Sequence, residues 1–523
     1  MAQIPISVRW GYSDGTSIKV VISSLSSSDV TIIIDGISSF VLSSMAAVGD
    51  DVPISGTEAF FADSTTVTGL SAFTKYTYTA IQDSNSVSGE FYSAPSASDD
   101  FTIFGVTCDN TLSIGGIAPG MYEHIKTYTE SGVLPTVALI HIDDHLGYVD
   151  FNGTNDSAGT GNQITIANSF AWEAGTEYDY AVGAAASLGL YENDSDDFVA
   201  AGNNSIRQWC LLNIPVWPQW GDHDAGFNDI GWSSKPTDNV GIPPGGSATY
   251  LSCFTNAESL WGKILEPLAP PKIDGSNSKA WGANLGCLYV ASPDAITTGA
   301  ATTVGTNDAA PDTIFGNTQI DSLLSALDND QPFKVLGLAN GIRYLTGTPP
   351  HTGNDGAQLP LNLHATEYPR LFTDTGNAEL SIMENPKTNG QVGTLFTIHG
   401  DNHVLKAQIN ENTDGTLPEQ FCSFNMGTLT GSSNHDATAV GPAGATGTNV
   451  FYSEGTNIGD NKWCIRLDVY GSKSPKEVRV FLLDNTGAEV YSRKFAQYRT
   501  VNIGVDIDAD VSLPVPSYPD NED

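Results

Sequence analysis

The sequence predicts a β-rich α+β fold in two parts: a β-sandwich over residues 1–97, then a larger layered domain over residues 98–500. Three observations point there. The first hundred residues hold short strand-like runs separated by polar turn residues. A Ser/Pro/Asp-rich stretch, SAPSASDD (Ser93–Asp100), has the composition of a linker. Beyond it come continuous apolar runs separated by longer segments, some of helical character. Alternation suits a sheet buried on one face, and continuous runs suit strands covered on both.

In chain order, SIKVVISS and DVTIIIDG are the first strands. TGLSAFTKYTYTAI follows its leucine with alternating tyrosines, the pattern of a sandwich strand. After the linker, FTIFGVTC (Phe101–Cys108), TVALIHI (Thr136–Ile142), NIPVWPQW, GCLYVA, FKVLGL and GTLFTIH are apolar runs of the doubly covered kind. TQIDSLLSALDN (Thr318–Asn329) sets Ile320, Leu323, Leu324 and Leu327 at helical spacing. WCIRLDVYG and EVRVFLLDNTGAEVY alternate again and read as a closing hairpin. Residues 501–523 form an acidic, Pro-rich tail, expected as an extended strap or a disordered segment.

Charge narrows the function classes. The 523 residues hold 22 Lys+Arg against 60 Asp+Glu, a formal net charge of −38. Only 16% are charged, below the usual level of about 25%, so the acidity reflects missing bases. Such a chain repels nucleic acid and anionic membranes, and nucleic-acid binding is excluded as a main role. Cys108, Cys210, Cys253, Cys287, Cys422 and Cys464 are widely spaced with no zinc-finger pattern. They are expected as buried thiols, with one or two disulfides left open. The opening MAQIPISVRW lacks the regions of a signal peptide, and no apolar run reaches 18 residues. The expected location is extracellular or on a particle or virion surface, reached by processing or another route.

Chemistry-bearing residues gather after the ends of the apolar runs. Cys108 and Asp109 follow the first, Asp143, Asp144 and His145 the second, and Asp222 and His223 the third. Asn340 comes shortly after FKVLGL, and His399, Asp401 and His403 close the last. Singly, each is ordinary: an Asp-His pair after a strand is most often a turn or cap, and a lone cysteine a small hydrophobe. Together, beyond strand C-termini where loops converge, they suit a two-metal site that activates water and clamps a phosphoryl group. An imidazole beside it can protonate a leaving oxygen. No phosphate-binding P-loop or GxSxG elbow is present.

The order of these motifs resembles the PhoD-type alkaline phosphatases, calcineurin-like metallophosphoesterases related to purple acid phosphatases. The resemblance spans nearly the whole chain at low identity. It implies an immunoglobulin- or fibronectin-like N-terminal sandwich, then two facing mixed sheets flanked by helices. FGVTCDN is similar to the family's first strand, with Cys108 as a metal ligand, and IHIDDHLGYVD to its Gly-Asp motif, with Asp144 bridging both metals. VWPQWGDHDAGFNDIGW is similar to its Trp-Asp-Asp-His stretch, with Asp222 as ligand and His223 as the catalytic histidine. LFTIHGDNHVL is similar to its Gly-Asp-x-His motif, with Asp401 and His403 at the metals. Where the family has a tyrosine three residues after the bridging aspartate, this chain has Gly147, with Tyr148 one later. Its Asp-x-Trp reads Asn362-Leu363-His364 here, and no arginine follows GCLYVASPD. Asn340, Tyr148, His145 and His364 are further candidates to ligate a metal or line the pocket. His124 and His141 are expected to be structural.

The resemblance implies hydrolysis of a phosphomonoester or phosphodiester at two or more metal ions, iron and calcium in the family. The competing reading is a surface or virion structural protein, self-assembling or particle-associated, whose phosphatase-like domain has weak or no activity. Scarce lysine, abundant Gly/Ser/Thr/Asn and the altered motifs favour it. Glycan binding by the N-terminal sandwich is a third class, on architectural analogy alone.

Overall fold

The structure is a computed structural model. It describes residues 6–24, 26–43, 45–47, 61–107, 120–142, 201–221, 258–259, 261–275, 279–294, 317–327, 329–338, 394–400, 406–410, 421–425, 448–453, 464–484 and 487–497.

Among the described residues eight strands precede residue 93: β1 (Ile6–Ser13), β2 (Ser17–Ser24), β3 (Val30–Ile34), β4 (Phe40–Leu42), β5 (Ala46–Ala47), β6 (Phe61–Thr68), β7 (Lys75–Gln82) and β8 (Asn85–Tyr92). They form two four-stranded sheets, ordered β1-β2-β6-β5 and β4-β3-β7-β8. Inward side chains of both meet in one core, including Val8, Trp10, Val20 and Ile22 from one and Ile32, Tyr76, Tyr78 and Phe91 from the other. The period-2 reading of KYTYTAIQ holds: Tyr76, Tyr78 and Ala80 are buried, and Thr77 is exposed. Trp10 meets Tyr78 edge-on at 5.0 Å and Phe91 at 4.2 Å. The β1–β2 turn is locked by Asp14, whose Oδ1 accepts from the amides of Thr16 and Ser17 at 2.8 and 2.7 Å. Gly15 between them has φ +89°, a conformation that a glycine adopts without strain.

The linker-like SAPSASDD is an ordered strap. Ser93, Ala94 and Pro95 are buried, Ala94 donates to Ser13 Oγ at 3.1 Å, and the Ala94 carbonyl accepts from Phe73. Its composition signalled a break in secondary structure. Its buried hydrogen bonds fasten it to the N-terminal sheets, and at its far end the Asp99 carbonyl accepts from Gly471 N of the larger part at 3.2 Å.

The larger part begins with β9 (Asp100–Thr107), α1 (Gly120–Ser131), β10 (Thr136–Ile142), α2 (Ala201–Asn213) and β11 (Val216–Gln219). A 3₁₀ turn (Glu266–Leu268) leads to β12 (Trp281–Leu285), β13 (Leu288–Ser292), α3 (Asn317–Leu327), β14 (Phe333–Leu338) and β15 (Thr394–His399). Then come β16 (Lys406–Asn410), β17 (Phe421–Asn425), β18 (Thr448–Ser453), β19 (Cys464–Tyr470), β20 (Glu477–Leu483) and β21 (Glu489–Ala496). One mixed sheet is ordered β11-β10-β9-β19-β20-β21 and the other β12-β13-β14-β15-β17-β16-β18. Between them lies a shared core that includes Ile140, Ile142, Ile465 and Leu467 from the first and Val290, Val335 and Ile398 from the second. On the first sheet's other face, Phe104, Leu139 and Val216 pack against Tyr122 and Ile125 of α1 and Leu211 of α2. Both faces are covered, which is why TVALIHI is buried at every position. The two N-terminal sheets dock on this body: Tyr78 donates to the Leu212 carbonyl at 2.9 Å, and Glu90 N to Asn213 Oδ1 at 2.9 Å.

Among the described residues Cys210, Cys287 and Cys464 are buried and form no disulfide, and the Cys210 thiol donates to the Tyr122 carbonyl at 3.4 Å. Burial pushes the Cys287 thiol up to about 11 and Cys464 higher still, so neither is a thiolate near neutral pH. Among the described residues no helix is long and apolar enough to cross a membrane.

Candidate active site

Strand register sets the geometry. β9, β10 and β11 run parallel, and their last residues are level: Thr107 opposite Ile142, and Ile142 opposite Gln219. In the second sheet β13, β14, β15 and β17 are parallel, with Leu338 opposite His399 and His399 opposite Asn425. Gly400 N donates to the Leu338 carbonyl at 3.0 Å, carrying the alignment one residue past the strand.

The two rows of strand ends face each other across the core. A Cβ on Gly337 would lie 3.1 Å from Ile142 Cδ1 and 3.6 Å from Gln219 Oε1, so β14 approaches β10 and β11 closely where a side chain is absent. Trp281 Nε1 donates to the Pro218 carbonyl at 2.8 Å, and its ring meets Trp217 edge-on at 5.9 Å. Gln219 Nε2 donates to the Pro293 carbonyl at 3.1 Å, joining the end of β11 to the end of β13. The apolar run NIPVWPQW therefore works as a brace between sheets, and its aromatic richness has a packing cause.

In sequence, most of the residues singled out for chemistry follow these ends, while His399 is itself the last residue of β15. Cys108 is next after Thr107, Asp144 two after Ile142, and Asp222 next after Gly221. Asn340 is two after Leu338, and Asp401 next after Gly400. Cys108, Asp144, His145, Tyr148, Asp222, His223, Asn340, His364, Asp401 and His403 all fall outside the described residues. Among the described residues no group of three His, Cys, Asp or Glu is gathered as a metal site.

Buried polar groups at this rim were not singled out in the sequence. Gln219 is 2% exposed, and its Oε1 has no hydrogen-bond partner among the described residues; Ser292 Oγ is the same. A glutamine between two tryptophans in an apolar run was the available signal. Asp294, 1% exposed, accepts from Lys279 N at 2.6 Å. Its backbone is clasped by Gln319, Asp294 N donating to Oε1 at 2.6 Å and Gln319 Nε2 to the Asp294 carbonyl at 2.9 Å. That pins α3 to the end of β13. His141 is fully buried within β10, between Ile140 and Ile142, which both join the core between the sheets. Alternation turns it to the opposite face, toward the helices.

No protein-family profile matches this sequence, and no curated protein matches it by sequence. Among solved structures, one described as the structure of PhoD superposes with a TM-score of 0.58. It does so at 12% identity, over 95% of this chain and 93% of that one. A calcium-binding mutant of Bacteroides uniformis beta-glucuronidase 2 reaches a TM-score of only 0.14 and carries no argument. The chain has a PhoD-like fold.

Proposed function

We propose that the chain is a metal-dependent phosphoesterase. The observation that carries this reading is the common rim: within each of two facing sheets the parallel strands end level, and Cys108, Asp144, Asp222 and Asp401 each follow such an end by one to three residues in sequence. The PhoD-like fold supports it. On this reading residues 1–97 are an immunoglobulin- or fibronectin-like sandwich, 98–500 the catalytic domain and 501–523 a tail.

The donor set suits metal ions. One thiol, three carboxylates and one imidazole offer soft, hard and intermediate ligands, a mixture that fits two unlike cations. The buried Gln219 Oε1 and Ser292 Oγ give the rim polar acceptors that an aqueous or ionic guest can satisfy. Cys108, Asp144, Asp222, Asp401 and His403 would hold the metals, with Asp144 shared. Bound there, the metals supply a hydroxide-like nucleophile at neutral pH and neutralise phosphoryl charge. His223 would hold a proton on its imidazole and deliver it to the leaving oxygen. Tyr148, His145, Asn340 and His364 would line the pocket. The PhoD resemblance suggests iron and calcium. The acidic composition supports an extracellular or particle-surface setting.

Elemental analysis of the purified protein, paired with turnover of a phosphomonoester and a phosphodiester, tests this. Stoichiometric metal and chelator-sensitive turnover are expected. Full turnover after exhaustive chelation with no detectable metal would overturn the reading. Absence of both metal and turnover would leave the fold as a structural scaffold on a particle, which Gly147 at the tyrosine position favours.

A further inference from the structure

A second recess lies where the N-terminal sheets meet the larger body. Its volume is about 180 Å³, and it is lined by Lys19 of β2, Glu266 of the 3₁₀ turn, Lys272, Lys279, Trp261 and Trp281. A single water needs only about 10–15 Å³ on such a measure, so the space takes a polyatomic guest. Three lysines meet here in a chain that has 22 basic residues among 523 and a net charge of −38.

The ion pairs do not use up these ammonium groups. Lys272 bonds Glu266 at 2.7 Å, and Lys279 bonds Glu258 at 2.8 Å, with Glu266 Oε2 farther off at 3.6 Å. Lys19 donates to the Ala269 carbonyl at 2.6 Å and lies 5.8 Å over the Tyr12 ring. Among the described residues it has no carboxylate within ion-pairing distance. Burial draws its ammonium below the ordinary lysine range, against the opposing pull of Glu266. Among the described residues, two carboxylates thus face three cations. Each ammonium has three donor hydrogens, and among the described residues most of those here have no acceptor. The walls are stiff: Trp281 is anchored on Pro218, and Trp261 meets Trp220 edge-on at 4.9 Å.

We propose that this recess is a binding site for a small oxyanion of the phosphate class, with Lys19 as its principal cation and Lys272 and Lys279 as flanking donors. The inference does not rest on hydrolysis at the strand-end rim. A tetrahedral oxyanion fits the volume, supplies the counter-charge that Lys19 lacks, and accepts hydrogen bonds from the ammonium groups that line the recess. By binding Lys19 of β2 together with Lys272 and Lys279, which lie between the 3₁₀ turn and β12, it also fastens the N-terminal sheets to the larger body.

Isothermal titration of the full chain with inorganic phosphate, at fixed ionic strength and pH 7, tests the site. Wild type should bind, and Lys19→Gln should weaken binding roughly 10-fold or more, the loss of one hydrogen bond to a charged group. Lys272 is 36% exposed at the rim, so Lys272→Gln carries little folding risk, and it should weaken binding in the same direction. Phosphate should raise the melting temperature of wild type more than that of either variant. Phosphate held at a metal centre would be insensitive to both substitutions. Unchanged affinity in both variants, or no binding by wild type at millimolar phosphate, would overturn the proposal.

Discussion

Asp222 and His223 are neighbours with different expected tasks. Asp222 would direct a carboxylate at a cation, and His223 would reach past it to the leaving oxygen. His223→Ala should leave metal content near wild type and slow turnover roughly 10²–10⁴-fold, the usual span for one acid–base group. Asp222→Ala should lower metal occupancy as well as rate; metal analysis beside kinetics separates the two, and equal metal loss in both would refute the division. Asp14 carries a pH prediction. Partial burial pushes its carboxyl up, but hydrogen bonds from Thr16 and Ser17 pull it further down, to below the ordinary aspartate value. A depressed native pKa means stabilisation that is present above the unfolded pKa and is lost as pH falls through the native one. Urea unfolding at pH 5 and at pH 3 should show Asp14→Asn losing less stability on acidification than wild type. Sequence order drew attention to the motif residues because each follows an apolar run, and they lie outside the described residues. It hid Gln219, whose importance comes from the Pro293 carbonyl, 74 positions away and just past the end of β13 in the other sheet.

At the level of elements, apolar patterning identified the strands well. SIKVVISS coincides with β2, and TVALIHI with β10. The run at NIPVWPQW gives only Val216–Gln219, a short edge strand in which Pro218 is tolerated because one side of the ladder is open. TQIDSLLSALDN is helical as its spacing implied, with α3 ending at Leu327. The α1 sequence GMYEHIKTYTES escaped notice because its buried Met121, Tyr122 and Ile125 are diluted by polar residues. Which element packs on which was not readable, since docking depends on contacts between distant residues. Gly11 is the sharpest case. A Cβ there would meet the carbonyl oxygen and Cα of Leu268, the latter at 2.5 Å, so β1 and the 3₁₀ turn touch backbone to backbone. Gly11→Ala should cost about 3 kcal/mol, the upper end of overpacking penalties, because backbone cannot swing aside as a side chain can. Denaturant midpoints for this variant and for Gly36→Ala separate the causes. A methyl added at Gly36 would meet nothing within 4 Å, but φ there is +79°, so the loss would come from strain alone.

For the whole molecule, the decisive feature is sheet order. β9 pairs with β10 on one side and with β19 on the other, Ile465 opposite Gly105 and Tyr470 opposite Asp100. The hairpin expected at the end of the chain exists as β19–β20 and is extended by β21. Its place beside the first strand of the larger part could not be read from local pattern. Thr102 Oγ1 donates to Asp468 at 2.7 Å, sealing the joint inside the sheet. Removing residues 464–523 should therefore leave β9 as a bare apolar edge. The truncated chain should be insoluble or bind a hydrophobic dye strongly, whereas removing only 501–523 should leave the melting temperature within a few degrees of wild type. The same pairing sets a timetable for birth on the ribosome. About 360 residues separate the partner strands, and at 5–20 residues per second the first must wait roughly 20–70 s for the second. Throughout that interval the nascent chain carries an unfinished sheet. Yield in a producing cell should follow translation speed and chaperone supply more closely than it follows the stability of the finished protein.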